Sequence, residues 1–305
     1  MTALVFTDKA ALHYAPAISR IAPELDICTL DDPASARAEV AISWAPPAES
    51  YARLPGLRLI HSIGAGADRI ISSASNLQVP ICRIVDASQA RSMAQYVVWG
   101  VLNRHRGFDG IRANQRAVQW QRVPGQSAPG TVVGIMGMGL MGKTVATLLL
   151  QLGFTVRGWS RRGTEMAGVQ GYAEGQLDEF LAGTQILVCL LPLTPATRQI
   201  LSRDLFARLA EDAYVIHVGR GDQLHVGDLL AAVDAGRLGG ALLDVFPVEP
   251  LPADDGLWRH EKIIVTPHVA AISDAGVVAT QIVDNVRRLS DGQPLQHQVQ
   301  HALGY

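Results

Sequence analysis

The chain has 305 residues, 48% of them hydrophobic and 18% charged, with a formal net charge of −2 and an isoelectric point near 6.5. That length exceeds a single compact core of ~100–200 residues and suits two domains, and the near-neutral balance argues against a nucleic-acid or membrane-surface partner, either of which wants a basic stripe. No run reaches the ~18 apolar residues needed to span a bilayer. Cys28, Cys82 and Cys189 have neither paired nor metal-ligand spacing, so no metal is expected, and they read as buried small hydrophobes in a reducing cytoplasm.

In chain order, Met1 to Asp8 lacks the layout of a signal peptide and reads as a first strand. Short apolar segments at Leu4–Phe6, Asp26–Cys28, Val40–Ile42, Leu57–Ile60 and Ile81–Val85 alternate with helical stretches, which predicts a small α/β unit. A long helix starts near Ser88. Its Met93, Val97, Val98, Val101, Leu102 and His105 follow helical spacing, and the polar stretch Gln121–Gly130 reads as a loop.

Val132 to Gly142 then joins a strand-like run to three glycines, Gly137, Gly139 and Gly142, spaced G-x-G-x-x-G. The first allows a tight strand-to-helix turn, the second lets backbone approach a pyrophosphate, and the third lets the helix pack close to the strand. Free N–H groups at the helix start, over Met138, Leu140 and Met141, would face the anion. The same residues also satisfy a second pattern, since Gly137 to Thr144 reads G-x-x-x-x-G-K-T, the phosphate loop of nucleotide triphosphatases, for which Asp244 could supply the later acidic residue.

A helix over Leu140–Leu152 and a strand over Phe154–Ser160 favour the βαβ start of a dinucleotide site. The tip of that strand carries Ser160-Arg161-Arg162 in place of the acidic residue that holds the ribose hydroxyls of NAD. Two guanidiniums there suit a 2′-phosphate, so NADPH is expected to be preferred, with NADH possible. Six strands, near Val132–Met136, Thr155–Trp159, Ile186–Leu190, Val215–Val218, Gly240–Leu243 and Ile263–Thr266, predict a doubly wound parallel sheet. The last helix, Ala275–Leu289, is expected to return to the first unit. Residues 1–97 with 275–305 would form a discontinuous domain and residues 98–274 the dinucleotide-binding domain.

Ligands bind outside the carboxyl ends of such strands, which singles out Arg220 after Val218, Glu249 after Phe246, and His268 after Val265. These blocks, Gly219-Arg220-Gly221, Leu243-Asp244-Val245-Phe246 through Glu249-Pro250, and Thr266-Pro267-His268, together with Gly64-Ala65-Gly66-Ala67-Asp68 and the glycine fingerprint, resemble the D-isomer-specific 2-hydroxyacid dehydrogenases. The narrower resemblance is to their glyoxylate/hydroxypyruvate reductase A branch.

The resemblance implies a Rossmann-type domain, with Leu191, Pro192, Val218, Gly219, Asp244 and His268 at the cofactor, plus a smaller flavodoxin-like α/β substrate domain. It implies reduction of glyoxylate or hydroxypyruvate with His268 as proton donor, Glu249 orienting it, and Arg220 polarising the carbonyl. Backbone N–H groups at Ala65 and Gly66 would hold the substrate carboxylate in a substrate loop that begins at Gly64, and Trp44 matches an aromatic facing the pocket, although a tryptophan beside a strand also suits core packing. A homodimer is implied as well. Acid pH should favour reduction and alkaline pH oxidation, since a proton is taken up with the hydride. His217 replaces an asparagine common in relatives, and corepressors that sense dinucleotides share the fold, which leaves a binding protein as the alternative to an enzyme.

Overall fold

The computed structural model describes residues 3–47, 49–125 and 127–300; Met1 and Thr2 of the expected first strand and Gln126 of the expected loop lie outside them. The chain divides into two compact units, Met1–Ser88 with Ser273–Tyr305, and Gln89–Ile272.

The first unit begins with strand β1 (Ala3–Phe6), helices α1 (Lys9–Leu12) and α2 (Ala15–Ile21), strands β2 (Asp26–Thr29), β3 (Val40–Ser43) and β4 (Leu59–Ser62), helix α3 (Asp68–Ser73) and strand β5 (Ile81–Cys82). All pairs are parallel and the order is β2-β1-β3-β4-β5, the flavodoxin-like arrangement. Because β1, β3 and β4 are covered on both faces, each is buried at every position, which is why they read as continuous apolar runs instead of alternating ones.

Helix α4 (Ala87–Arg106) opens the second unit and is followed by α5 (Phe108–Arg116), a helix the hydrophobic pattern had not suggested. Then come β6 (Val132–Met136), α6 (Leu140–Gln151), β7 (Thr155–Trp159), β8 (Val169–Tyr172), α7 (Leu177–Leu181), β9 (Ile186–Cys189), α8 (Arg203–Arg208), β10 (Ala213–His217), α9 (Val226–Asp234), β11 (Leu238–Leu243) and β12 (Ile263–Val265). The sheet has seven parallel strands, ordered β12-β11-β10-β9-β6-β7-β8, where six were expected. The extra strand β8 sits at the edge with two of its four residues exposed, so it lacks the apolar run that marks its neighbours.

Connections leave β6 toward β7 on one side and reach β9 on the other, which makes the β6/β9 boundary the topological switch point. Helix α6 covers the sheet with Gly142, Val145, Ala146 and Leu149, spaced i, i+3, i+4, i+7. Helix α4 comes unusually close to it, because a Cβ on Gly100 would meet the side chains of Leu242 and Ile216. Finally α10 (Ala275–Ser290), capped by the Asp274 carboxylate on the Val277 N–H at 3.0 Å, returns to the first unit. Its Val278, Ala279, Ile282, Val283 and Val286 join Leu4, Phe6, Ile18, Val40 and Ile42 in one buried cluster.

Candidate active site

In the second unit the loops at the carboxyl ends of β6, β7, β9, β10, β11 and β12 carry the residues singled out by sequence. After β6, Gly137 has φ +103°, and a Cβ there would meet the Leu190 carbonyl oxygen at 2.7 Å; only glycine suits both the dihedral and the space. A Cβ on Gly142 would strike the Gly137 carbonyl, so α6 can start this close to β6 only without a side chain at that position. By contrast, nothing lies within 4 Å of a Cβ at Gly139, and no side chain caps the helix it begins. An uncapped helix start facing open space, with Met138 buried below and Leu140 exposed beside it, fits a pyrophosphate.

The phosphate-loop reading does not survive this geometry. The helix starts at Leu140, so Lys143 and Thr144 lie inside its first turns, and the Thr144 hydroxyl donates to the Leu140 carbonyl at 2.9 Å. Asp244 is equally committed: buried, it accepts the Thr266 hydroxyl at 2.6 Å and the N–H groups of Val269 and Ala270, each at 2.9 Å.

At the end of β7 a tight turn closes with Gly163 N–H on the Ser160 carbonyl (3.0 Å) and the Ser160 hydroxyl on the Gly163 carbonyl (2.7 Å). The turn lifts Arg161 and Arg162 into exposed positions. After β9, the carbonyls of Leu191 and Pro192 accept from the Gln223 side-chain amide at 3.1 and 3.0 Å, and the same amide's oxygen takes the Arg220 N–H at 2.8 Å. Gln223 is fully buried. It ties the Val218–Arg220 loop to the Leu191–Pro192 segment, a role with no signature in the sequence because its partners lie on a different strand's loop.

Arg220 donates from Nη1 to the Gly219 carbonyl at 2.8 Å. A Cβ on Gly221 would overlap the Phe246 and Pro247 backbone, so that glycine is what lets the arginine loop lie against the segment leading to Glu249. The Glu249 carboxylate accepts the Phe246 N–H at 3.0 Å through Oε1 and meets His268 Nδ1 at 3.0 Å through Oε2. A carboxylate can only accept, so Nδ1 carries a proton and the tautomer is set. The triad side chains are partly screened from water, with His268 at 32% and Glu249 at 18% exposure, enough for a small substrate to reach the ring.

His268 itself has φ +56°, a left-handed backbone conformation that costs a non-glycine residue energy. Asp244 holds it there: the His268 N–H donates to the Asp244 carbonyl at 3.0 Å while the carboxylate clasps residues 266, 269 and 270. Since the Thr266 hydroxyl gives its hydrogen to Asp244, the Tyr96 hydroxyl must be the donor in its 2.5 Å bond to Thr266. Tyr96 lies one turn before Gly100 on α4, so the close approach of that helix is what brings the phenol to the histidine loop. His217, at the end of β10, is fully buried, donates from Nε2 to the Arg220 carbonyl at 2.9 Å and has no partner for Nδ1. Burial, above all, pushes its pKa down to about 4.

In the first unit, Trp44 follows β3 and lies half-buried with its ring against Gly64, where a Cβ would collide with it. The Asp8 carboxylate accepts the N–H groups of Trp44 (2.8 Å) and Ala45 (3.1 Å) and so fixes that turn. Gly64 N–H donates to the Ser62 hydroxyl at 3.1 Å, and that hydroxyl donates to the Gly66 carbonyl at 2.9 Å. Among the described residues the N–H groups of Ala65 and Gly66 have no protein acceptor. No helix of the described residues is long and apolar enough to cross a membrane, and none of their His, Cys, Asp and Glu side chains cluster as a metal site.

Residues 98–270 match the family model described as D-isomer specific 2-hydroxyacid dehydrogenase, NAD binding domain. The chain is 39% identical over 275 residues to a glyoxylate/hydroxypyruvate reductase A of Klebsiella pneumoniae, covering 88% of each. Among solved structures it superposes on an NADPH-dependent glyoxylate/hydroxypyruvate reductase from Sinorhizobium meliloti, in complex with NADP and sulfate, with TM-score 0.93 at 34% identity and full coverage of both chains. A D-isomer specific 2-hydroxyacid dehydrogenase from Xanthobacter autotrophicus, in complex with NADPH and MES, gives TM-score 0.92 at 35% identity over 100% of this chain and 99% of that one. The family model, the sequence identities and the superpositions agree, and the chain belongs to the D-isomer specific 2-hydroxyacid dehydrogenase family.

Proposed function

We propose that this protein is an NADPH-preferring reductase of small 2-keto acids, converting glyoxylate to glycolate and hydroxypyruvate to D-glycerate. The observation that carries the reading is the His268–Glu249 pair, 3.0 Å apart, at the same carboxyl end of the sheet as Arg220 and the uncapped glycine loop. NADPH held by the glycine loop would supply the hydride for the carbonyl carbon. His268, its Nδ1 proton engaged by Glu249, delivers a proton from Nε2 to the carbonyl oxygen, and Arg220 draws electron density toward that oxygen while gripping the carboxylate. Glu249 stabilises the imidazolium before transfer and keeps the ring aimed afterwards. Trp44 and the backbone of Gly64, Ala65 and Gly66 contact the keto acid.

Gly137, Met138, Gly139, Leu140, Met141 and Gly142 form the pyrophosphate seat, and Leu191, Pro192, Val218, Gly219 and Asp244 flank the cofactor. Ser160, Arg161 and Arg162 take the 2′-phosphate. Replacing both arginines with alanine is expected to weaken NADPH binding by roughly 10–100-fold, as for the loss of a charge-assisted contact, and NADH binding far less; equal losses in a fluorescence titration would remove the phosphate assignment. The test of the reaction is loss of absorbance at 340 nm with NADPH or NADH against glyoxylate, hydroxypyruvate, pyruvate and an aryl keto acid. Fast NADPH oxidation with the small acids is expected. Tight NADPH binding with no turnover of any of them would point to a dinucleotide sensor.

The protein acts as a homodimer in a reducing cytoplasm. Support for the dimer comes from α5, which buries none of its residues, and from the exposed Phe108, Ile111, Val118 and Trp120 that follow one another along this stretch. The double substitution Ile111→Asp with Trp120→Asp should shift sedimentation from dimer to monomer, and an unchanged sedimentation coefficient would relocate the interface. Cys28, Cys82 and Cys189 are all free and buried, in keeping with a reducing compartment.

A further inference from the structure

The loop that carries His268 runs from Thr266 to Ile272, and helix α4 grips it at two points. The Ser92 hydroxyl accepts the Ile272 N–H at 3.1 Å, and the Tyr96 hydroxyl donates to the Thr266 hydroxyl at 2.5 Å. Ser92 and Tyr96 are spaced i, i+4, so both stand on one face of α4. Between those two points the loop's Ala270 is buried in the same apolar cluster as Met93 and Val97 of the helix. All of these residues belong to the second unit.

The two grips differ in what they lead to. Ser92 holds only the far end of the loop, whereas Thr266 passes its own hydrogen on to the buried Asp244 carboxylate at 2.6 Å. That carboxylate also takes the Val269 and Ala270 N–H groups, each at 2.9 Å. In a chain of hydrogen bonds screened from water each donor strengthens the next, so the phenol polarises the threonine hydroxyl toward the carboxylate. Burial raises the pKa of the Tyr96 phenol against the smaller lowering by its bond to Thr266, which keeps that first donor protonated. Between the clasped positions 266 and 269 stands His268, at φ +56°, a backbone state that persists only where its surroundings fix it.

We propose that Tyr96 is a positioning residue for the reduction: through Thr266 and Asp244 it holds the left-handed backbone of His268, and with it the direction in which the imidazole points. This role rests on the keto-acid reductase reading for its kinetic consequence, and goes beyond it by giving α4 a part in catalysis. Gly100, one turn further along, sets the reach. A Cβ there would meet Leu242 at 2.5 Å and Ile216 at 3.0 Å, so its absence lets the helix lie close enough to the sheet for a phenol to span the gap to Thr266.

The test compares the full-length protein with Tyr96→Phe, Thr266→Val and Thr266→Ser, the first two of which each remove one hydroxyl and nearly keep side-chain shape. With saturating NADPH and either glyoxylate or hydroxypyruvate, Tyr96→Phe is expected to lower kcat roughly tenfold, with KM and NADPH affinity changed far less. Thr266→Val should lose at least as much, and Thr266→Ser, which keeps the hydroxyl, should recover most of it. Tyr96→Phe combined with Thr266→Val should lose no more than Thr266→Val alone, because the relay is already broken. A readout independent of turnover is the Cε1–H resonance of His268 in protein carrying isotope-labelled histidine, identified by its disappearance in His268→Ala. It should move in Tyr96→Phe and return toward its place in Thr266→Ser relative to Thr266→Val.

If the unaltered protein reduces no keto acid yet the His268 resonance moves in Tyr96→Phe, the reductase reading falls and the positioning of His268 stands. An unchanged resonance overturns the proposal whether or not keto acids turn over. In an active protein, an unchanged kcat in Tyr96→Phe also overturns it, and a lower denaturant midpoint as the sole effect would assign the phenol to packing of the loop. Additive losses in the double variant would show that Tyr96 and Thr266 act separately and would refute the relay. A raised KM with kcat intact would move the effect to substrate binding and overturn the proposal too.

Discussion

Replacing His268 with alanine is expected to lower kcat for keto-acid reduction by at least ~100-fold, the usual cost of losing a positioned general acid, while NADPH affinity stays nearly unchanged. The two halves of that expectation have separate grounds. Protonation of the developing alkoxide needs a donor near neutral pH, and among the triad only the imidazole can supply one, because Glu249 is occupied on Nδ1 and on the Phe246 N–H and an arginine does not release its proton. On the proposed reading cofactor affinity would come chiefly from the glycine loop and the β7 tip, which the substitution leaves alone. Glu249→Gln should give a smaller loss, since an amide oxygen still orients Nδ1–H but no longer carries charge. Stopped-flow single turnovers beside fluorescence titration of NADPH separate the two effects. Near-normal turnover in His268→Ala would dismiss the histidine from the mechanism.

The second large effect is on stability. His61, on β4, is fully buried, donates from Nδ1 to the Ser62 carbonyl at 2.8 Å and accepts the Asn285 amide at 3.0 Å through Nε2. The Asn285 amide also bonds the Gln296 backbone, so the ring is part of the seam that fastens α10 and the segment after it. Burial pushes the pKa of both His61 and His217 down to about 4. Each is therefore neutral in the folded state and takes up a proton near pH 6.5 when unfolded.

The unfolded chain binds more protons between those two values, so the stability is complete above pH ~6.5 and is lost as pH falls toward 4. Each histidine should cost its unit about 2 kcal/mol by pH 5. Denaturant midpoints measured at pH 7.5 and 5 should drop markedly, and His61→Asn and His217→Asn should each flatten the drop for the unit that carries it. A pH dependence unaffected by either substitution would show that carboxylates, and not these rings, set acid sensitivity.

Much of this site was legible from the chain alone, for identifiable reasons. Gly137, Gly139 and Gly142 announce themselves because each meets a local demand of a strand-to-helix turn, and buried parallel strands such as Val132–Met136 and Thr155–Trp159 read directly as apolar runs. What stayed hidden was long-range. Gln223 matters through the Leu191 and Pro192 carbonyls, and Tyr96 through a hydroxyl 170 positions later in the chain. Asp244 could be placed at the cofactor end of β11, but its clasp on residues 266, 269 and 270 could not. Edge strand β8 and helix α5 escaped for a different reason, since neither buries a continuous apolar face.

The discontinuity of the first unit has a consequence for how the polypeptide matures on the ribosome. The N-terminal strands leave the exit tunnel early, yet the cluster of Leu4, Phe6, Ile18, Val40 and Ile42 is sealed by Val278, Ile282 and Val286 of α10. That seal cannot form until the entire second unit has been translated. Meanwhile the nascent sheet carries an uncovered apolar face, a sticky surface on which trigger-type chaperones act, whereas the second unit holds all its own strands and can close as soon as β12 emerges. Truncation just before Ala275 should therefore leave an aggregation-prone N-terminal half attached to an otherwise finished nucleotide-binding half.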